Sequence, residues 1–150
     1  MVASGSDVLL NVLEEEGVEC IFGLPGGPPI SFYDVLSKSK KIKHVLVRHE
    51  GCGSFMADAF AKSSGKLGAC LATAGPGATN LVIGVATAYT DNTPMIAITG
   101  QISTQHEGKN LHDEIDLVRL FEPITKYSVK INRTDRIAEV VRRAIKIARE

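Results

Sequence analysis

Glu50 is the side chain in this sequence best placed to do chemistry. It is a lone carboxylate at the end of an apolar run, in Val45-Leu-Val-Arg-His-Glu-Gly-Cys-Gly53. Glycines follow it, and then small and apolar residues of helical character. The dipole of a helix beginning here would favour the charged carboxylate, while burial would favour the neutral acid. Taken alone, the segment reads more simply as a helix-start acid or an ion-pair partner of Arg48 or His49. Two glycine-rich stretches could lie against a ligand, because a residue without Cβ admits close approach. They are Gly23-Leu-Pro-Gly-Gly27, stiffened by Pro28 and Pro29, and Gly75-Pro-Gly77 with Asn80 beyond it. Gly77 opens a helical stretch whose free amides attract anions. The second stretch lacks the third glycine of a dinucleotide fingerprint and the Gly-Lys-Ser/Thr of a phosphate loop. Either stretch could equally be a tight strand-to-helix turn.

A third group is polar. His106, His112, Asp113 and Glu114 fall in one long irregular segment. A histidine beside two acids can shuttle protons or bind a metal, but surface loops carry such residues often, and a solvated loop is the simpler reading. Cys20, Cys52 and Cys70 are widely spaced, with no CxxC or Cys/His cluster, so no metal ligand set is expected and buried free thiols are. No nucleophile elbow or similar motif supports a Ser/His/Asp or Cys/His arrangement.

The elements that must position these residues follow from the apolar spacing. Asp7 to Glu16 is predicted as a helix, with Ser4 and Asp7 as a capping signal and Gly17 as its stop. Strands are predicted over Val18–Phe22, Val45–Val47, Leu67–Ala72 and Pro94–Thr99, and a fifth, near an edge, over Ile124–Ile131. Helices are predicted over Ile30–Leu36, Gly53–Ser64, Ala78–Tyr89 and Asp116–Phe121. A final amphipathic helix, Asp135–Arg149, is expected with Thr134 as N-cap and its basic face in solvent. Short apolar strands alternating with helices imply a parallel sheet covered on both faces. Ligands of such sheets bind at the carboxyl ends of the strands. The loops Gly23–Pro29, Arg48–Gly51, Thr73–Gly77 and Gly100–Asp113 each follow a predicted strand, so they should gather along one edge.

The bulk numbers exclude several classes. The chain has 150 residues, enough for one domain with its own core, and 44% of them are hydrophobic. Lys+Arg and Asp+Glu are each 17, which predicts no attraction to nucleic acid or to an anionic membrane. Trp is absent and aromatics are 5%, so there is no stacking platform for single strands. No apolar run is long enough to span a membrane. The start, Met1 to Asp7, lacks the order of a secretory signal, and a cytoplasmic location is expected.

Taken in order, seven segments resemble the N-terminal, pyrimidine-binding domain of the acetolactate synthase and pyruvate oxidase family of thiamine-diphosphate enzymes. They are Glu19-Cys-Ile-Phe-Gly-Leu-Pro-Gly-Gly27, Val47-Arg-His-Glu50, Phe55-Met-Ala-Asp-Ala-Phe-Ala61, Ala72-Thr-Ala-Gly-Pro-Gly-Ala-Thr-Asn80, Asp91-Asn-Thr-Pro-Met95, Thr99-Gly-Gln101 and Pro123-Ile-Thr-Lys126. The resemblance implies a three-layer α/β/α fold with a mostly parallel sheet. It gives Glu50 a catalytic role: the matching glutamate meets N1′ of the aminopyrimidine and drives the ring toward its imino tautomer, which deprotonates the thiazolium for attack on a 2-keto acid. It places Pro25 and Gly26 beside the cofactor, and Thr73, Pro76, Gly77 and Asn80 near the pyrimidine or a subunit contact. It makes Gln101, His112 and Asp113 a substrate-side loop.

The resemblance also implies magnesium held with the diphosphate by a second domain. It implies cofactor binding between subunits of a homodimer or larger oligomer, and it leaves FAD open. No Gly-Asp-Gly…Asn diphosphate motif occurs in the sequence, so residues 1–150 are expected to be the N-terminal part of a larger enzyme, or a split subunit, inactive when isolated. A last strand of the sheet is expected to be missing. Synthases of the family carry Phe-Gln-Glu where this chain has His112-Asp113-Glu114. The resemblance therefore leaves three activities open: carboligation as in acetolactate synthase, plain 2-keto acid decarboxylation, and acyl transfer. A non-catalytic assembly module is the remaining alternative.

Overall fold

The computed structural model describes residues 4–150; Met1 to Ala3, the start of the segment read for a leader, lie outside the described residues. The chain opens with helix α1, Gly5–Glu15. Ser4 caps it as the sequence predicts: its Oγ accepts from the Asp7 amide at 3.2 Å, and Asp7 Oδ2 accepts in return from the Ser4 amide at 2.9 Å. Strand β1, Cys20–Gly23, and helix α2, Ile30–Leu36, follow. Then come strand β2, Lys43–Leu46, and helix α3, Glu50–Ser64. Helix α3 starts three residues before the expected Gly53, because the exposed His49 caps it: its Nδ1 accepts from the Gly51 amide at 3.1 Å. Glu50 thus lies in the first helical turn rather than in a loop before it.

Strand β3, Gly68–Ala72, leads into helices α4, Pro76–Thr79, and α5, Val82–Thr90. The single helix expected over Ala78–Tyr89 is therefore two, interrupted at Asn80 and Leu81, where the Leu81 amide bonds the nearer carbonyl of Ala78 at 3.1 Å. Strand β4, Met95–Thr99, precedes the long polar loop, helix α6, Leu117–Phe121, and helix α7, Ile137–Arg149. Thr134 is not the cap of α7: a 3-10 turn over Thr134–Arg136 intervenes, and α7 begins without a side-chain cap.

The four strands form one parallel sheet in the order β2-β1-β3-β4, with Phe22 opposite Cys70 and Cys70 opposite Ala97. Its two faces carry separate apolar layers. Leu13, Ile21, Phe32, Leu36, Leu71 and Ile145 bring α1, α2 and α7 onto one face. Phe22, Ala57, Cys70, Leu81, Val85 and Phe121 bring α3, α5 and α6 onto the other. The three-layer α/β/α arrangement read from the sequence is the fold. The chain leaves β1 through α2 on the first face and leaves β3 through α5 on the second. The connections leaving the adjacent strands β1 and β3 therefore run to opposite faces, which makes their carboxyl ends the switch point where sheets of this kind bind ligands.

The fifth strand expected over Ile124–Ile131 does not form. Residues Glu122–Ile124 make a 3-10 turn, and the stretch beyond it pairs with no strand. A cavity of about 890 Å³, lined by Ile96, Ile98, Val129, Ile131 and Val141 among others, separates it from β4. An extended segment becomes a strand only when a neighbour takes its hydrogen bonds. Here the segment is pinned elsewhere: Tyr127 lies under the Arg143 guanidinium at 5.2 Å, and Ser128 Oγ donates to the Val118 carbonyl at 3.1 Å. The outer edge of β4 consequently has no strand partner among the described residues.

Candidate functional site

Glu50 is buried, with 8% of its surface exposed. Leaving an acid there without polar neighbours would cost several kcal/mol on the order of an unpaired buried charge. One of its oxygens is partnered: Oε2 accepts from Asn80 Nδ2 at 2.9 Å. Oε1 accepts no hydrogen bond among the described residues, and it looks onto Gly77. A Cβ added at Gly77 would lie 3.2 Å from Glu50 Oε1 and 2.5 Å from Thr73 Cγ2. The bare backbone of Gly77 is what keeps the approach to Oε1 open.

Thr73 closes the same space from the end of β3. A Cβ at Gly26, in the loop after β1, would overlap the Thr73 side chain, so the two glycine-rich turns meet across Thr73. The Thr73 hydroxyl oxygen is buried and has no partner. Gly75 turns the chain with φ +56° and ψ −124°, a conformation side-chain-bearing residues rarely adopt. Asp113 packs its backbone onto that turn, its Cα 2.6 Å from where a Gly75 Cβ would be. Gly100, after β4, lies close against Pro28, Pro29 and the Ala74 amide. All four loops expected to converge at the carboxyl ends of the strands thus do so. Pro25 and Pro76 sit exposed on the rim.

The polar loop is braced internally. Gln101 Nε2 donates to the Ile115 carbonyl at 3.0 Å, and its Oε1 accepts from the Ile102 amide at 2.9 Å, which ties the loop's two ends together. Glu114 accepts from the Gly108 and Leu111 amides at 2.5 and 3.1 Å, and the Gly108 bond in particular holds its carboxyl below the usual range. His112 extends into solvent with 94% of its side chain exposed, its Nε2 3.2 Å from Asp113 Oδ1. His106 is exposed as well. Among the described residues no three His, Cys, Asp or Glu side chains gather as a metal site.

Two residues at the floor of the site carry little sequence signal: His44 is a histidine flanking a strand, weaker as a candidate than those of the polar loop. Tyr33 reads in sequence as an apolar member of α2. Its buried hydroxyl has no partner and lies 2.7 Å from where a Cβ on Gly23 would be. Burial, and secondarily the Glu50 charge, push its pKa well above the ordinary value. The His44 ring meets Tyr33 edge-on at 5.0 Å, with its Nε2 3.3 Å from the Gly23 carbonyl, and burial lowers its pKa. Helical spacing marks Tyr33 as core; only the packing of α2 against β1 brings its hydroxyl under Gly23.

Other expectations sort differently. Cys70 is buried, but Cys20 is half-buried and Cys52 is exposed on the outer face of α3, so the expectation of three buried thiols holds for Cys70 alone. The basic face of α7 is not simply solvated. Arg142 reaches Glu15 at 2.5 Å, and Arg149 reaches the Glu16 carboxylate at 3.2 Å and carbonyl at 2.6 Å, which ties α7 to α1. No described helix is long and apolar enough to cross a membrane.

A parallel sheet with glycine turns meeting over a buried acid at its switch point defines a ligand-binding domain of the doubly wound class. The profile described as "Thiamine pyrophosphate enzyme, N-terminal TPP binding domain" matches residues 3–120, and the chain belongs to that family. It is 48% identical over 144 residues to a "Probable acetolactate synthase large subunit" of Methanocaldococcus jannaschii, covering 96% of this chain and 24% of that protein. It is 44% identical over 146 residues to the "Acetolactate synthase large subunit" of Lactococcus lactis, covering 97% and 25%. It is 39% identical over 145 residues to "Acetolactate synthase isozyme 3 large subunit" of Escherichia coli, covering 97% and 25%. The chain therefore spans about a quarter of the length of these relatives.

The family implies thiamine diphosphate, and the residues present fit its aminopyrimidine half. The unpartnered Glu50 Oε1 and the orphaned Thr73 hydroxyl offer polar atoms to a flat ring edge. Gly26 and Gly77 let their backbones close onto Thr73, and the bare Gly77 leaves Glu50 Oε1 without a methyl against it.

Proposed function

We propose that this chain is the cofactor-activating part of a thiamine-diphosphate enzyme that acts on 2-keto acids, in the manner of an acetolactate synthase large subunit. The observation that carries the reading is the buried Glu50, with one oxygen held and the other open between two glycine turns. Thiamine diphosphate held there would supply the nucleophile and electron sink for breaking a bond next to a keto group. The chain's own residues do the rest. Glu50 holds or gives up a proton at Oε1, and the low polarity around it strengthens that exchange. Thr73, Gly26 and Gly77 shape the slot and exclude water.

Magnesium and the diphosphate would be held by residues outside this chain, and the homologous relatives' greater length supports that division. Phe55 and Met56 on α3 and Ile83 on α5 are exposed apolar side chains flanking the Ser54–Gly84 contact, which suits pairing with a second copy. The test is Glu50→Gln in the whole polypeptide with thiamine diphosphate, Mg²⁺ and pyruvate. Loss of general acid–base assistance lowers turnover by roughly 10² to 10⁴. Turnover equal to that of the unsubstituted protein sinks the reading and favours a purely structural module.

A further inference from the structure

We propose that Asn80 is the positioning residue that decides which oxygen of Glu50 carries the exchangeable proton. The inference rests on the reading of Glu50 as proton partner of the cofactor ring. The family resemblance implies that Asn80 lies near the pyrimidine; in the fold its amide is turned to the carboxylate. Nδ2 donates to Glu50 Oε2 at 2.9 Å. An ionised carboxylate can only accept, so the amide must present its N–H end and keep its oxygen away. With an N–H already facing Oε2, a proton placed on that oxygen would meet another hydrogen. A proton arriving at Glu50 therefore sits on Oε1, the oxygen beside Gly77. The transfer changes one O–H bond and one N–H bond, and no electrons leave the pair of groups. Asn80 has no titrating proton of its own, so the donor it presents to the ionised carboxylate does not itself change with pH.

The fold explains why residue 80 does this. The break between α4 and α5 falls at Asn80, whose backbone N–H reaches Pro76 at 3.1 Å while the Leu81 N–H closes a tighter turn onto Ala78. Leu81 is fully buried and anchors that turn in the core. The Asn80 carbonyl lies against Gly51, 3.3 Å from where a Cβ would be, so the turn abuts the first turn of α3, where Glu50 sits.

The test uses the whole polypeptide and Asn80→Leu, which keeps the side-chain shape and removes the donor. Turnover at saturating thiamine diphosphate should fall by roughly tenfold or more, a share of the assistance lost with Glu50 itself. Cofactor affinity should stay within about threefold, since the donor serves the acid and not the ring. In cofactor-free protein labelled with ¹³C-carboxyl glutamate, the Glu50 resonance should move. Should Asn80→Leu fail to fold, proteins that keep Asn80 still decide: its side-chain amide resonance must move between the parent and Glu50→Gln. Unchanged turnover with an unmoved Glu50 resonance overturns the proposal. So does an Asn80 amide indifferent to Glu50→Gln, or a tenfold loss of affinity with turnover intact, which would make Asn80 a cofactor contact. Full turnover by Glu50→Gln is a separate result, and it defeats the functional reading rather than this assignment.

Discussion

Gly77→Ala is the sharpest probe of the site's geometry. The added methyl would lie 2.5 Å from Thr73 Cγ2, where carbon atoms prefer about 3.5–4.0 Å, so one of them must move by about 1 Å. Thr73 has little room to yield, because the Gly26 backbone packs against its other side. Gly77 is buried in the first turn of α4, just beyond the tight turn at Gly75, and it cannot swing outward without breaking that turn. Overpacking of this kind costs about 1–3 kcal/mol. For a domain of this size each kcal/mol lowers the melting temperature by about 2–4 °C, which gives a drop of roughly 2–12 °C. The methyl also comes within 3.2 Å of Glu50 Oε1, so cofactor affinity should fall along with stability. Thermal unfolding followed by circular dichroism, and binding of thiamine diphosphate to the whole polypeptide, measure the two effects. Thr73→Ser removes Cγ2 and keeps the hydroxyl. Combined with Gly77→Ala it should restore most of the melting temperature. A Gly77→Ala protein that melts with the parent, or a double variant no better than the single one, would refute the steric account.

Two further outcomes follow from other parts of the fold. Burial pushes the Cys70 thiol up to about 12 from an ordinary value of 9.0, and it raises Tyr33 as well. Both groups stay protonated when folded at a pH where the unfolded chain would release the proton, so stability should be full below about pH 9 and decline above it. Denaturant midpoints measured from pH 7 to 11 check this, and Cys70→Ala should flatten the decline. The backbone bonds that hold the Glu114 carboxyl below the usual range stabilise the polar loop above that range and are lost as pH falls through the lowered value. Amide exchange at Gly108 and Leu111 should therefore accelerate several-fold in strong acid or on Glu114→Ala, while exchange in β3 stays slow.

Much of this protein is written in local sequence. Ser4 and Asp7 specify the start of α1 because capping needs only residues three apart. The strands and the four convergent loops follow from apolar spacing and glycine placement, and the parallel sheet follows from their alternation with helices. Glu50 stands out through its position at a strand's end, although its neighbours alone favour a surface role. The seven short segments that resemble the family supplied its chemistry, and six of them fall within the family match over residues 3–120.

What local sequence could not decide were the contacts between residues distant in the chain. The Asn80 amide meets Glu50, thirty positions away, because the α4–α5 break and the first turn of α3 abut beside the same strand ends. The Tyr33 hydroxyl lies beneath Gly23 because α2 packs on the face of β1 from which glycine projects nothing. Ile124–Ile131 has the apolar content of a strand but no strand, since strand character depends on a hydrogen-bonding neighbour and the edge of β4 is across a cavity. Arg142 and Arg149 read as a solvated face until α7 lies down beside the acidic end of α1. Periodicity reports which face of an element is apolar; only packing determines what that face, and the polar atoms along its border, come to touch.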